Sequence, residues 1–397
     1  MSPQAAYPSS DVDLFSDEAL ADPYPYYERL REAGTAVYLE SIDVWALPRY
    51  AEVRAAAADW ATFSNAGIAL TPEMNEASAG TVLGADPPVH EERRRTLDYG
   101  LSPRLLRQHA QASIEQRTEE IVGAALARGH FDAVADLAHA VPASVVIDLI
   151  GLPQEGRDRL AAFADGTFNA LGPANERTFA GMATFGELFE YLSTVATPDR
   201  LMPGSMGMTI YEAADRGEIP HESCVSLMAS YVAAGLDTTI HAISSAIWLF
   251  ARYPDQWDLV REDPDSAIPM ALNEVLRIES PIPYFGRRVT RDHDLGDATL
   301  PEGAQVMLMY GSANRDERKY REPERFDVSR NPTDHLAFGH GIHRCAGQGL
   351  ARMEFVAVMK HLARGVRRFE IEGEPERHLN NDLRGLSRLP VSVEKSL

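Results

Sequence analysis

Cysteine is scarce in this chain, with two residues, Cys224 and Cys345, among 397. That excludes a disulfide-stapled secreted scaffold and leaves reduced cytosol as the simpler compartment. Long apolar runs are missing too. No stretch reaches about 18 uninterrupted apolar residues, so no membrane span is expected. The opening residues, MSPQAAYPSSDVDLF, have neither a basic start nor an apolar core, so no signal peptide is expected and a cytoplasmic location is predicted. Basic residues are outnumbered. The 38 Lys and Arg face 59 Asp and Glu, for a net charge of −21, which disfavours nucleic acid and anionic membrane as partners and favours solubility. Repeats and low-complexity linkers are lacking as well. The remainder is ordinary globular composition, 45% apolar and 24% charged, in a chain long enough for a large core.

Polar, proline-containing residues 1–22 read as an N-terminal arm, and residues 23–397 as one large domain. A first helix is predicted over 23–33, two strands over 36–48, and a short helix over 50–58. The stretch 64–85 has little periodicity, as functional loops often do. From Pro103 the pattern is helical over 104–128, 130–150, 154–170, 175–195 and 207–216. A helix from His221 to about Arg252 is apolar on most faces and is expected to be buried. Helices at 254–262, 266–280 and 346–364 follow, with strands and turns over 284–310 and 366–395. The sum is a mainly α chain with a small β portion.

The most informative residues are Phe338-Gly339-His340-Gly341-Ile342-His343-Arg344-Cys345-Ala346-Gly347. Glycines at 339 and 341 let backbone approach something flat and bulky. A helix running on from Ala346 would aim its N-terminal N–H groups at Cys345, and Arg344 adds positive charge. These effects favour thiolate, the form that binds metal. One cysteine without a partner ligand at metal-binding spacing points to an axial thiolate on haem iron.

The string matches F-G-x-G-x-H-x-C-x-G, and the chain resembles the cytochromes P450 from its first helix to its last turn. The resemblance implies the P450 fold, a single large domain around a buried haem b, with Cys345 as the proximal iron ligand. Phe338 would pack near the sulfur, Gly347 would belong to the cofactor-binding loop, and His343 would reach a propionate. Asp86-Pro87-Pro88-Val89-His90-Glu91-Glu92-Arg93-Arg94 resembles the D-P-P-x-H-x-x-x-R segment of the family, which implies His90 and Arg94 on propionates. Arg287 matches another propionate arginine. Glu274-Val275-Leu276-Arg277 puts an acid and a base on one helix face. In the family this structural pair is joined by an arginine of a later loop, a part that Arg325 matches.

Ala234-Gly235-Leu236-Asp237-Thr238-Thr239 places costly residues in the middle of an apolar helix. It resembles the oxygen-binding groove of the P450s. The implied roles are proton delivery by Asp237 as a general acid and hydrogen bonding to dioxygen by Thr238. The intact pair favours monooxygenase chemistry with O2 as co-substrate and electrons from NAD(P)H through a redox partner. Soluble bacterial members of the family take those electrons from a [2Fe-2S] ferredoxin or similar reductase system. Arg344, Arg352, Arg104 and Arg107 could form its docking patch near Cys345. A monomer is expected.

Three further pieces resemble P450s that demethylate small aromatic methyl ethers such as 4-methoxybenzoate. They are Thr167–Pro173, Glu279–Phe285 and Asn380–Leu386. The resemblance implies a flat apolar pocket of Leu83, Phe168, Leu171, Ser230, Ala234, Ile282, Phe285 and Leu386. One departure stands out. The loop Ala77-Ser78-Ala79-Gly80-Thr81-Val82-Leu83 lacks the arginine that holds a carboxylate in those relatives. Burying a carboxylate without partners is costly. A neutral guaiacol-type ether is therefore favoured over a benzoate, with Ser78, Thr81 or Ser230 available to a phenol. The alternatives are a P450 hydroxylase acting on a larger terpenoid or polyketide, and a non-enzymatic haem-binding gas sensor.

Overall fold

A computed structural model describes residues 7–396, so the first six residues of the expected arm lie outside the described residues. The chain is mainly helical with a minor β portion. Its largest sheet has six short strands in the spatial order Ser9–Ser10, Val37–Leu39, Val44–Leu47, Gln305–Leu308, Phe285–Val289 and Phe63–Ser64. Residues 7–22 carry the first of these strands and a short helix, Asp17–Ala21, capped by the Ser16 side chain, and they bury Leu14 and Phe15.

Two cores are built on the Asp237–Arg252 and Cys224–Gly235 helices, one on each. One joins Ile243, Ile247 and Phe250 to Trp257, Phe355 and Leu362. The other joins Leu227, Met228 and Val232 to Val145, Leu188 and Ile210. The Ala133–Ile150 run has a mean hydropathy of 1.7 over 18 residues, but 56% of it is buried within the fold. Its apolar side chains divide between the two cores.

Four expectations need correction. The helix expected from His221 to Arg252 is two helices broken at Leu236, where the backbone turns to φ −99°, ψ −76°. Beside the break the helix is closely packed: a Cβ on Gly235 would come within 2.9 Å of Val146. The 104–128 helix divides at Ala110 into Pro103–His109 and Gln111–Arg128. The 130–150 segment opens with a strand, His130–Asp132, and a π-helical turn before its α-helix, Ala140–Ile150. Stretch 64–85 contains a helix, Pro72–Ser78, too short to show a period.

Candidate functional site

The Cys345 loop is built on its glycines. Gly339 and Gly341 have φ of +69° and +73°, the left-handed region where only glycine is free of strain. A Cβ on Gly341 would lie 2.4 Å from the Ala57 carbonyl oxygen, so the loop is pressed onto the Tyr50–Ala58 helix. Cys345 N–H donates to the Phe338 carbonyl at 2.8 Å, which closes the loop on itself. The following helix starts at Gln348, with Gly347 at its cap.

The expected bias towards thiolate is not the net result in the protein alone. Burial pushes the Cys345 thiol up, and the N–H groups of Gly347 and Gln348, with Arg94 and Arg344, oppose it without outweighing it. A positive centre at the sulfur would be needed to complete the thiolate. Among the described residues no group of three or more His, Cys, Asp or Glu could hold a bare metal ion.

Cys345 opens onto an internal cavity of about 230 Å³. At one edge His90, Arg94, Arg287 and His343 converge. The two imidazole rings lie 4.1 Å apart, centre to centre. Both nitrogens of His90 and Nε2 of His343 are buried without a hydrogen-bond partner. Burial, with Arg94 next, holds His90 below its usual pKa. Burial, then Arg287, His90 and Arg94, pulls His343 down to about 2. Unpartnered donors that repel one another call for anions between them. Arg287 is 2% exposed and Arg94 also pairs with Asp98 at 2.7 Å. A thiol facing a cavity whose rim is short of carboxylates fits a haem with its two propionates.

On the other side, Ser230, Ala234 and Thr238 line the cavity with Leu83, Phe168, Ile282 and Phe285. Leu171 and Leu386 do not. Leu171 packs in the core beneath the large sheet and Leu386 in the core beside the Asp237–Arg252 helix, at 4% and 1% exposure. The Thr81 hydroxyl is used within its own loop, donating to Ser78 O at 2.8 Å and accepting from Gly84 N–H at 3.1 Å. Neither Ser78 nor Thr81 lines the cavity. Ser230 does, and its hydroxyl donates to Ser226 O at 2.9 Å, which leaves a lone pair free.

Asp237 and Thr238 divide the helix break between them. Thr238 Oγ1 donates to Ala234 O at 3.0 Å and faces the cavity. Asp237 is buried behind it, with Oδ2 unpartnered. Burial, then the charge of Asp165, pushes its carboxyl up to about 7, with His378 opposing. Sequence reasoning missed the wall residues Val82, Met206 and Tyr231, and also Glu354. Only Glu354 left a signal. It falls between Leu350 and Val358 at four-residue spacing, an acid on the buried face of a helix.

Behind the cavity, Glu274 and Arg277 are fully buried and paired through both Arg277 Nε and Nη2 at 2.8 Å. The expected third partner is corrected. Arg325 has a 59% exposed side chain and offers Arg277 only its carbonyl oxygen, at 3.2 Å. The cation that reaches Glu274 is Arg330, with Nε at 3.4 Å.

The cytochrome P450 family model matches residues 204–394. Cytochrome p450 CYP199A2 of Rhodopseudomonas palustris is 41% identical over 397 residues, covering 98% of this chain and 95% of that protein. The beta-dihydromenaquinone-9 omega-hydroxylase of Mycobacterium tuberculosis is 32% identical, covering 97% of this chain and 78% of its own length. The crystal structure of CalO2 superposes with a TM-score of 0.85 at 27% identity, covering 96% of this chain and 98% of that one. Whole-length likeness in sequence and in fold, with a lone cysteine at the mouth of a carboxylate-seeking cavity, leads to one conclusion: the chain belongs to the cytochrome P450 family of haem b monooxygenases.

Proposed function

We propose that this enzyme removes the methyl group from a small, neutral aromatic ether of the guaiacol type. The observation that carries this reading is the charge distribution of the cavity wall. Among the described residues lining it, the cationic groups Arg94 and Arg287 belong to the cluster with His90 and His343, and the substrate side offers apolar surface and hydroxyls. No cation is left there for a benzoate, and an unpaired buried carboxylate is strongly disfavoured. Phe168, Ile282 and Phe285 supply walls for a ring, and Ser230 supplies an acceptor for a phenol O–H.

In this reading Cys345 would hold the haem iron through its sulfur, and Phe338 would pack beside it. His90, Arg94, Arg287 and His343 would hold the propionates, while Gly347 lets the helix start close to the sulfur. Bound haem supplies the iron at which dioxygen is activated. Asp237 holds a proton near neutral pH and passes it into the cavity, where Thr238 positions the acceptor. One oxygen atom enters a methyl C–H bond, and the other leaves as water with two electrons and two protons. The resulting hemiacetal separates into a phenol and formaldehyde. Electrons enter from a ferredoxin-type partner at the face where Arg104, Arg107 and Arg344 are exposed.

The test is a Soret-band titration of the purified ferric enzyme with guaiacol, 4-alkylguaiacols, 4-methoxybenzoate and a bulky terpenoid, followed by formaldehyde assay. A shift to high spin and formaldehyde release with the neutral ethers is expected. Preference for 4-methoxybenzoate, or for the terpenoid, overturns the reading.

A further inference from the structure

A second polar cluster lies on the side of Asp237 away from the cavity. His378 follows the Glu376–Arg377 strand, and its Nε2 lies 2.6 Å from Asp165 Oδ1 on the Leu160–Ala170 helix. Asn380 and Asn169 side chains donate to the two Asp165 carboxylate oxygens at 2.7 and 3.2 Å, so that carboxylate is fixed in place. His241, one turn beyond Asp237 on the same helix, stacks on the His378 ring at 5.2 Å between centres. The cluster grades from surface to interior. The Asp165 and His378 side chains are 36% and 27% exposed, whereas Asp237 and His241 are 8% and 5% exposed as residues. The buried end carries the unpartnered atoms, Asp237 Oδ2 and His241 Nδ1.

We propose that the His378–Asp165 pair is a relay that returns protons from solvent to Asp237 after each donation into the cavity. This rests on the proton-donor role given to Asp237 above. The groups facing Asp237 and His241 are Asp165, His378 and Arg377. Arg377 does not release a proton at physiological pH. Burial, then His378, holds His241 down to about 3, so it stays neutral. It is also pinned, because a Cβ on Gly385 would sit 1.9 Å from His241 Nδ1. Asp165 is held as a carboxylate, its burial outweighed by His378 and Asn380. His378 alone carries a proton it can give. Burial pulls its pKa down, but Asp165, with Asp237, outweighs this and raises it above the usual value. In the transfer the His378 imidazolium loses one proton to the Asp237 carboxylate and becomes neutral. The same ring nitrogen, now bare, then takes one proton from water, while the other keeps its N–H on Asp165. Asp165 is a positioning residue that keeps His378 charged and oriented.

The test uses the haem-loaded enzyme with its redox partners and a substrate that gives high spin. His378→Gln should lower product formed per NAD(P)H by at least about tenfold, short of the ~100-fold expected for losing a general acid outright. Independently of turnover, the infrared carbonyl band of protonated Asp237, identified by its loss in Asp237→Asn, should titrate at higher pH in His378→Gln, because a positive neighbour has gone. Unchanged coupling, or an unmoved titration midpoint, overturns the relay. Should His378→Gln fail to fold, Asp165→Asn keeps the shape of the site. It should lower the His378 pKa, so that turnover declines with rising pH from a lower pH. An unchanged pH profile there also overturns the relay. Asp237→Asn separates the two readings. If it stays coupled, the donor role of Asp237 falls and the relay with it; if it uncouples while the other variants behave as wild type, only the relay falls.

Discussion

Glu274 is buried completely; Arg277 satisfies it through two hydrogen bonds and the Asp327 N–H through a third at 3.0 Å, with the Arg330 charge 3.4 Å away. Breaking a buried ion pair leaves an uncompensated charge, which costs about 3–5 kcal/mol. Glu274→Gln should therefore lower the unfolding free energy of the haem-loaded enzyme by an amount in that range, measured in denaturant. The same measurement tests which arginine is the third partner. Arg330→Ala should cost about 1–3 kcal/mol, since its side chain also donates to the Arg321 and Glu322 carbonyls. Arg325→Ala, on a mostly exposed side chain, should stay within about 0.5 kcal/mol. The Glu274–Arg277 pair was legible because three-residue spacing on a helix is local geometry. The third partner was not. Which arginine arrives depends on a loop that passes through positive φ at Glu322 and Asn331, and neither residue type demands that conformation.

At the scale of elements, the Cys345 loop and the Tyr50–Ala58 helix form one unit through Gly341. Alanine there would add a Cβ at 2.4 Å from the Ala57 carbonyl oxygen, on a residue at φ +73°. The left-handed conformation alone costs a non-glycine residue about 1–2 kcal/mol, and the backbone contact cannot be relieved by a side-chain rotation. Gly341→Ala should therefore lose haem faster than wild type when apomyoglobin is added as an acceptor, with a smaller change in overall helix content by circular dichroism. The loop was readable because its glycines, histidine and cysteine are chemistry held in ten consecutive residues. The break at Leu236 was only half readable. Gly235, Asp237 and Thr238 marked a disturbed helix, yet the close approach of Gly235 to Val146, a residue 89 positions earlier (235 − 146), exists only in the folded chain. The cavity wall divides the same way. Phe168, Ile282 and Phe285 were found as aromatic and aliphatic residues in family-like strings. Leu171 and Leu386 lay in the same kind of string but face core.

Across the whole molecule, buried ionisable groups of opposite kinds set the pH range of stability. His241 and His335 are each held down to about 3, in both cases by burial first, and they take up protons on unfolding. Their contribution is complete above about pH 6.5 and is lost as pH falls towards 3. The acids act in the reverse sense. Burial alone pushes Glu354 up to about 8, with both carboxyl oxygens unpartnered. Between its ordinary value of 4.5 and 8 the folded state keeps a proton that the unfolded chain has released, so stability falls as pH rises. Between pH 6.5 and 8 the pull of His241 and His335 fades out, and Glu354 still acts, at about 1 kcal/mol per pH unit. The net charge of −21 adds repulsion over the same range, so the wild-type slope alone would not identify its source. Glu354→Gln isolates it, because the amide keeps the shape and cannot titrate. Denaturant unfolding of the haem-loaded enzyme at several pH values from 6.5 to 8 should show stability declining in wild type. The decline should be shallower in Glu354→Gln by about 1 kcal/mol per pH unit, and parallel slopes would mean that Glu354 is already ionised in the folded protein.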